Sequence, residues 1–154
     1  MAKLVQERPV YAGGKSFSCT RCSSCCRHES GYVFLSEKDA VRLGEGLRIS
    51  FHQLLLDFCR WIPVGDGAFK LSLQEKANFD CVFWEEPGGC SVYQWRPLQC
   101  RAFPFWESAL KSKSAWREFA KECPGIGQGR HFSQEDIEEW LVLRKNEPII
   151  CKNI

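Results

Sequence analysis

The chain has no run approaching the roughly 18 apolar residues that a membrane-spanning helix needs. Its opening stretch, Met1 to Val10, lacks the apolar core of a secretory signal. The expectation is a cytoplasmic protein with no membrane partner, where clustered cysteines bind metal or do redox work more often than they form disulfides. A dominant charge sign is missing too: 21 Lys and Arg face 19 Asp and Glu, a formal +2. Each four-thiolate centre around a 2+ ion or cluster core would lower that by about two, so no basic footprint is left for nucleic acid. Histidine is scarce. His28, His52 and His131 make no H-E-x-x-H or H-x-E pair, which leaves a hydrolytic zinc site without its base. No internal repeat, low-complexity segment, linker or glycine-rich nucleotide loop after a strand is present, and 154 residues fit one domain over 1–154.

Cysteine is what the chain has in excess, with 10 of 154 residues. Four fall within Cys19-Thr20-Arg21-Cys22-Ser23-Ser24-Cys25-Cys26. Disulfide geometry cannot be met locally by all four, because bridged Cα atoms need about 4.4–6.8 Å and constrained torsions. Thiolates turned toward a metal ion or an iron–sulfur cluster explain the C-x2-C spacing directly. Arg21, Arg27 and His28 beside the loop either offset thiolate charge or are solvated.

The rest of the chain predicts short elements of both kinds. Val10-Tyr11 suggests a brief strand and Tyr32 to Leu35 another. Ser36 to Asp39 is a capping box for a helix toward Leu43 that Gly44 should end. Ser50 and Gln53 open a second helix, with Phe51, Leu54, Leu55 and Phe58 toward the core and Cys59 as a buried thiol. Trp61 to Val64 and Phe69 to Leu73 flank Gly65-Asp66-Gly67 as a hairpin. A second hairpin, Asp80 to Trp84 with Cys90 to Tyr93, would set Cys81 near Cys90 across two strands. Pro97 suits the first position of a short helix, and Phe103 to Trp106 should be extended and half-buried because of Pro104. Helices over 114–123 and 134–145 follow, the second capped by Ser133 and burying Ile137, Trp140, Leu141 and Leu143. The expected fold is α+β: a small single domain of short hairpins and short helices around a cysteine-rich metal site.

Cys81, Cys90, Cys100 and Cys123 each sit in a turn or beside proline or glycine, where a loop can aim sulfur inward. Cys59 and Cys151 lack that context, and Cys151 should lie at a frayed terminus. The candidate ligands are therefore Cys19, Cys22, Cys25, Cys26, Cys81, Cys90, Cys100 and Cys123. His131, beside the glycine loop at 125–129, is an accessory ligand or a surface histidine. Cys25-Cys26 as a redox pair lacks a thioredoxin-like setting. The six Trp and 11 Phe are core that keeps water off a centre, or a surface for partners or single-stranded DNA.

Asp80-Cys81-x-Phe83, Cys90-Ser91-x-Tyr93, Arg96-Pro97-x-Gln99-Cys100-Arg101-x-Phe103-Pro104 and Cys123-Pro124-Gly125-Ile126-Gly127-x-Gly129 follow the first knuckle in order. Together, over 19–129, they resemble the YkgJ-like CxxCxxCC cysteine-cluster family. The resemblance implies zinc or iron chelation and an eight-cysteine set. Related domains occur in flagellin lysine methylases, which would link the family to S-adenosylmethionine-dependent protein modification and an iron–sulfur cluster. The spacing leaves the metal open: three cysteines at x2, x2 with a remote Cys-Pro suit an iron–sulfur cluster such as 4Fe–4S, whereas eight thiols also suit two four-coordinate Zn²⁺ sites. Three functions compete. One is a structural or electron-transfer centre, another an enzyme or enzyme accessory with an open coordination position, and the third a metal-handling chaperone with labile thiolates.

Overall fold

The computed structural model describes residues 7–27 and 30–154. In chain order the elements are β1 (Lys15–Phe17), α1 (Glu37–Leu47), α2 (Phe51–Phe58), β2 (Cys59–Gly65), β3 (Ala68–Leu73), β4 (Trp84–Glu85) and β5 (Gly89–Cys90). A 3-10 turn (Tyr93–Trp95), α3 (Leu98–Ala102), α4 (Glu107–Leu110), α5 (Lys113–Glu122), β6 (Arg130–Phe132), α6 (Gln134–Asn146) and β7 (Cys151–Asn153) complete it. The class is mixed α+β, with short antiparallel strands and short helices. Two compact units are formed, one from 1–22 and 104–142, the other from 23–103 and 143–154.

The second unit is organised by the antiparallel sheet β2-β3-β7. The hairpin forms as its turn predicts, with Cys59 opposite Leu73 and Trp61 opposite Leu71. Asp66 and its flanking glycines all take positive φ. β7 adds on the far edge of β3, with Cys151 opposite Lys70, so Cys151 is held in a ladder and not frayed. The segment expected as a strand at 32–35 is extended but paired only by single bridges, Phe34 with Ser72 and Ser36 with Ile149. Leu35 N–H donates to Leu71 O at 3.0 Å and Leu35 O accepts from Ile150 N–H at 2.9 Å. Leu35, Leu43, Leu54 and Leu71 are fully buried, with Cys59 packed among them.

The Ser36 capping box is present: Asp39 N–H donates to Ser36 Oγ at 3.1 Å and Ser36 N–H donates to Asp39 Oδ2 at 3.0 Å. The helix does not end at Gly44. It runs to Leu47, and Arg48 caps it at φ 58°. Gly44 and Gly46 serve packing: a Cβ at 46 would lie 2.2 Å from the Trp95 ring, so the 3-10 turn seats directly on α1. In α2 only Leu54 is fully buried, and Phe51 is exposed, because two turns present a single line of side chains inward.

In the first unit the expected strand at Val10-Tyr11 is a turn, with Ala12 N–H bonded to Pro9 O at 2.9 Å and Gly14 N–H to Tyr11 O at 2.8 Å. The strand begins at Lys15 and pairs with β6. Phe105 is buried, its ring centre 6.3 Å from that of Trp116 in a stacked pair and 4.9 Å from that of Phe132 in a tilted one. Of the stretch expected to be half-buried, Phe103 and Trp106 are so while Pro104 and Phe105 are buried, and α4 starts immediately after at Glu107. α6 carries its Ser133 cap and buries Ile137, while Leu143 is exposed.

Candidate metal centre

The cysteine knuckle turns sharply because two non-glycine residues within it, Arg21 and Ser23, adopt left-handed φ of 55° and 71°. Such positions cost of order 1–3 kcal/mol and persist only where surroundings enforce them. Arg21 N–H points at Cys19 Sγ, 3.4 Å away, and Cys26 N–H closes a turn on Ser23 O at 2.9 Å. A main-chain bond then joins the knuckle to a distant loop: Cys81 N–H donates to Cys26 O at 2.7 Å.

The second hairpin is shorter than expected. Only Trp84–Glu85 and Gly89–Cys90 pair, with Trp84 opposite Cys90, and Cys81 is bridged instead to Glu75. Asp80 N–H is taken by Asn78 Oδ1 at 3.1 Å, a local side-chain bond that competes with strand pairing. Cys81 O accepts from Trp84 N–H at 2.8 Å, so Cys81 sits in a turn and not across a ladder from Cys90. Cys100 is in α3, whose start is tied to α1 by Leu98 N–H donating to Asp39 Oδ1 at 2.8 Å. Pro97 stands just before the first helical residue.

These turns bring five thiols into one electrostatic neighbourhood. Burial pushes the Cys100 thiol up, and charge on Cys81, Cys25 and Cys90 pushes it further, against the pull of Arg96. Burial likewise raises Cys81, with Cys90 and Cys25 adding to it. Cys26 is raised by its hydrogen bond with Cys25, by burial, and by charge on Cys25, Cys100 and Cys81. Cys25 takes the anionic role in that pair and is lowered to about 7, chiefly by Cys26. The Cys25 and Cys26 sulfurs are 3.8 Å apart. That separation is the edge of a tetrahedron with metal–sulfur bonds of about 2.3 Å, roughly 3.8 Å. The chemistry of the donors fits a thiophilic cation, which binds the thiolate form that burial otherwise disfavours. Among the described residues no three His, Cys, Asp or Glu side chains are already gathered as a cage for a metal ion.

Cys19, Cys22 and Cys123 belong to the first unit. Cys123 caps α5, its N–H donating to Phe119 O at 3.1 Å. The chain beside it meets the chain beside Cys19, with Ser18 N–H bonded to Gly125 O at 3.1 Å. A Cβ at 125 would lie 2.1 Å from Ser18 O. The glycine loop is thus a seat for Ser18.

The two remaining cysteines stand apart in role. Cys59 is in the core of the second unit, its thiol pushed up to about 11 by burial. Cys151 is exposed and its thiol donates to Ile149 O at 3.2 Å. His131 is exposed on β6, its ring against Gly14, and His52 is exposed on α2. His28 lies outside the described residues.

Sequence reasoning missed one device. Arg27 is neither free in solvent nor simply beside thiolates. Its Nε donates to the buried Asp80 carboxylate at 3.0 Å and its guanidinium lies 3.6 Å from the Trp84 ring centre. The signal was present, since Arg27 follows Cys26 and Asp80 precedes Cys81, but nothing in the sequence pairs them. Nearby, the Arg101 guanidinium is held below its ordinary value by burial and by Arg42, with Asp39 and Glu147 opposing.

The sequence profile of a family described as "Putative zinc- or iron-chelating domain" matches residues 18–124. An uncharacterized protein of Methanocaldococcus jannaschii is 27% identical over 140 residues, covering 87% of this chain and 71% of the relative. No solved structure matches.

Proposed function

Because this chain belongs to the CxxCxxCC family, we propose that it binds zinc or iron through thiolates, with Cys25, Cys26, Cys81, Cys90 and Cys100 as the principal donors. The observation that carries this reading is the 2.7 Å bond from Cys81 N–H to Cys26 O, which ties the knuckle bearing the adjacent Cys25 and Cys26 sulfurs to the distant segment bearing Cys81. Four of the five suffice for a tetrahedral ion. Cys19, Cys22 and Cys123, in the first unit, complete the eight-cysteine set that the family resemblance implies. The metal is taken as structural or redox-active, since the three histidines form no H-E-x-x-H or H-x-E pair in the sequence.

A single tetrahedral ion is favoured by the Cys25–Cys26 separation of 3.8 Å. An iron–sulfur cluster is the second reading, favoured by the x2, x2 spacing of Cys19, Cys22 and Cys25. Anaerobic purification with zinc, iron and acid-labile sulfide analysis tests both. Colourless protein carrying one zinc or red protein carrying one iron, without sulfide, supports the ion. Brown protein with sulfide supports the cluster. Protein with neither metal after anaerobic reconstitution would sink the proposal.

A further inference from the structure

Three arginines of the second unit are anchored on one short turn. Arg42 Nη2 donates to Gln94 O at 3.3 Å, Arg96 Nε to Tyr93 O at 3.0 Å, and Arg101 Nε to Arg96 O at 3.1 Å. The Arg96 guanidinium also lies 3.8 Å from the Tyr93 ring centre. Their acceptors all lie within residues 93–96, so the three cationic heads are gathered around that turn. The turn is itself fixed, because Trp95 seats on Gly46 with no room for a Cβ.

None of the three forms an ion pair among the described residues. The buried carboxylates Asp39 and Glu147 act on Arg101 through their charge, but among the described residues neither is bonded to any of the three guanidinium groups. Asp39 accepts from Ser36 N–H and Leu98 N–H; Glu147 accepts from Ser36 Oγ and faces Lys38 Nζ at 3.9 Å. Arg42 Nε is enclosed and has no hydrogen-bond partner among the described residues. A guanidinium carries five N–H donors and no acceptor, and an enclosed donor without a partner implies an acceptor still to come. Asp39 and Glu147 act on Arg101 and offset part of the charge on the three guanidinium groups, and the N–H donors of those groups that have no partner among the described residues are left for a further anion.

We propose that Arg42, Arg96 and Arg101 form a binding site for a phosphate group, borne by a small molecule or as inorganic phosphate. Phosphate matches the site in its number of acceptor oxygens. It brings close to two negative charges and three acceptor oxygens, and guanidinium forks engage such oxygens bidentately. A carboxylate brings one charge and two oxygens. The site adjoins the thiol centre through Arg96, whose charge acts on both Cys25 and Cys100, and through Arg101, the residue after Cys100. It does not depend on which metal is bound there.

The test is a titration of the full chain, purified anaerobically, with inorganic phosphate at constant ionic strength, following arginine Nε–H signals by NMR. Phenyl phosphate and acetate are titrated in parallel. The expected result is saturable movement of the Arg42, Arg96 and Arg101 signals at a Kd of about 1 mM or tighter for inorganic phosphate. Acetate should bind at least about tenfold more weakly. Phenyl phosphate binding more tightly than inorganic phosphate identifies a phosphate ester as the ligand; the reverse identifies the free anion. Arg42→Gln should weaken phosphate binding at least about tenfold, and Arg48→Gln should leave it unchanged. Absence of saturable shifts in the wild-type chain, or acetate binding as tightly as phosphate, overturns the proposal whether or not the variants fold.

Discussion

Arg27 and Asp80, 53 residues apart in the chain, are joined by a 3.0 Å bond from Nε to Oδ1, while the same guanidinium covers Trp84. Arg27 follows Cys26, and Asp80 precedes Cys81, so this ion pair runs alongside the main-chain bond from Cys81 to Cys26. It pins two of the candidate donors from outside the donor set.

Asp80→Ala removes the partner of a guanidinium that is only 25% exposed. Breaking such a pair should cost about 2–4 kcal/mol and reduce bound metal. Arg27→Lys keeps the charge but loses the planar face over Trp84, and should cost less, about 1–2 kcal/mol. Urea unfolding of the two variants, with metal per chain measured alongside, checks the order.

Gly125→Ala should be much worse than Gly127→Ala. The first places a Cβ 2.1 Å from the Ser18 carbonyl oxygen, which is main chain and cannot rotate away. At Gly127 a Cβ meets nothing within 4 Å, and only its φ of 86° is unfavourable. The expected costs are about 2–3 kcal/mol against about 1 kcal/mol. Thermal melts that place the two variants level would show that the loop yields at Ser18.

The sequence made the helix starts legible at Ser36, Ser50 and Ser133, because that cap is a local bond, whereas the same cap at Ser112, which accepts from Ala115 N–H, was passed over. The hairpin over Cys59–Leu73 was legible because Gly65-Asp66-Gly67 dictates the turn. β6 and β7 were not, since strands of three residues carry no alternation and depend on partners far along the chain. Gly44 misled because glycine ends helices and also admits neighbours, and here the close approach of the chain at Ile49 decides. The cysteine inventory was readable as residues. The link between Cys26 and Cys81 was not, because it depends on one hydrogen bond across the chain and on a shortened hairpin.

Cys59 gives a pH signature independent of metal. Its thiol stands at about 11 when folded, against 9.0 ordinarily. The folded form holds its proton where the unfolded chain has released it, so the contribution is full below about pH 9 and is lost as pH rises toward about 11. That loss amounts to about 2–3 kcal/mol. The wild-type stability curve should therefore fall relative to that of Cys59→Ala across this window, and parallel curves would contradict the buried-thiol account.

A serine scan of the ten cysteines separates donors from bystanders. Cys81→Ser and Cys100→Ser should lose metal and most soluble yield, because metal binding and folding are coupled in sites built from distant segments. Cys59→Ser should keep its metal and lose about 1–3 kcal/mol for a hydroxyl in the core. Cys151→Ser, exposed on β7, should change stability by less than about 0.5 kcal/mol. Equal damage from Cys151 and Cys81 would redraw the donor set.

The bond between Cys26 O and Cys81 N–H also sets a timetable. Translation proceeds at about 5–20 residues per second, so the 55 positions from Cys26 to Cys81 take about 3–11 s to be made. Until they are made, Cys26 has no Cys81 N–H on its carbonyl and Arg27 has no Asp80 to hold it. Newly made chains are thus most vulnerable to oxidant, and to capture of the wrong metal, before Cys81 is made.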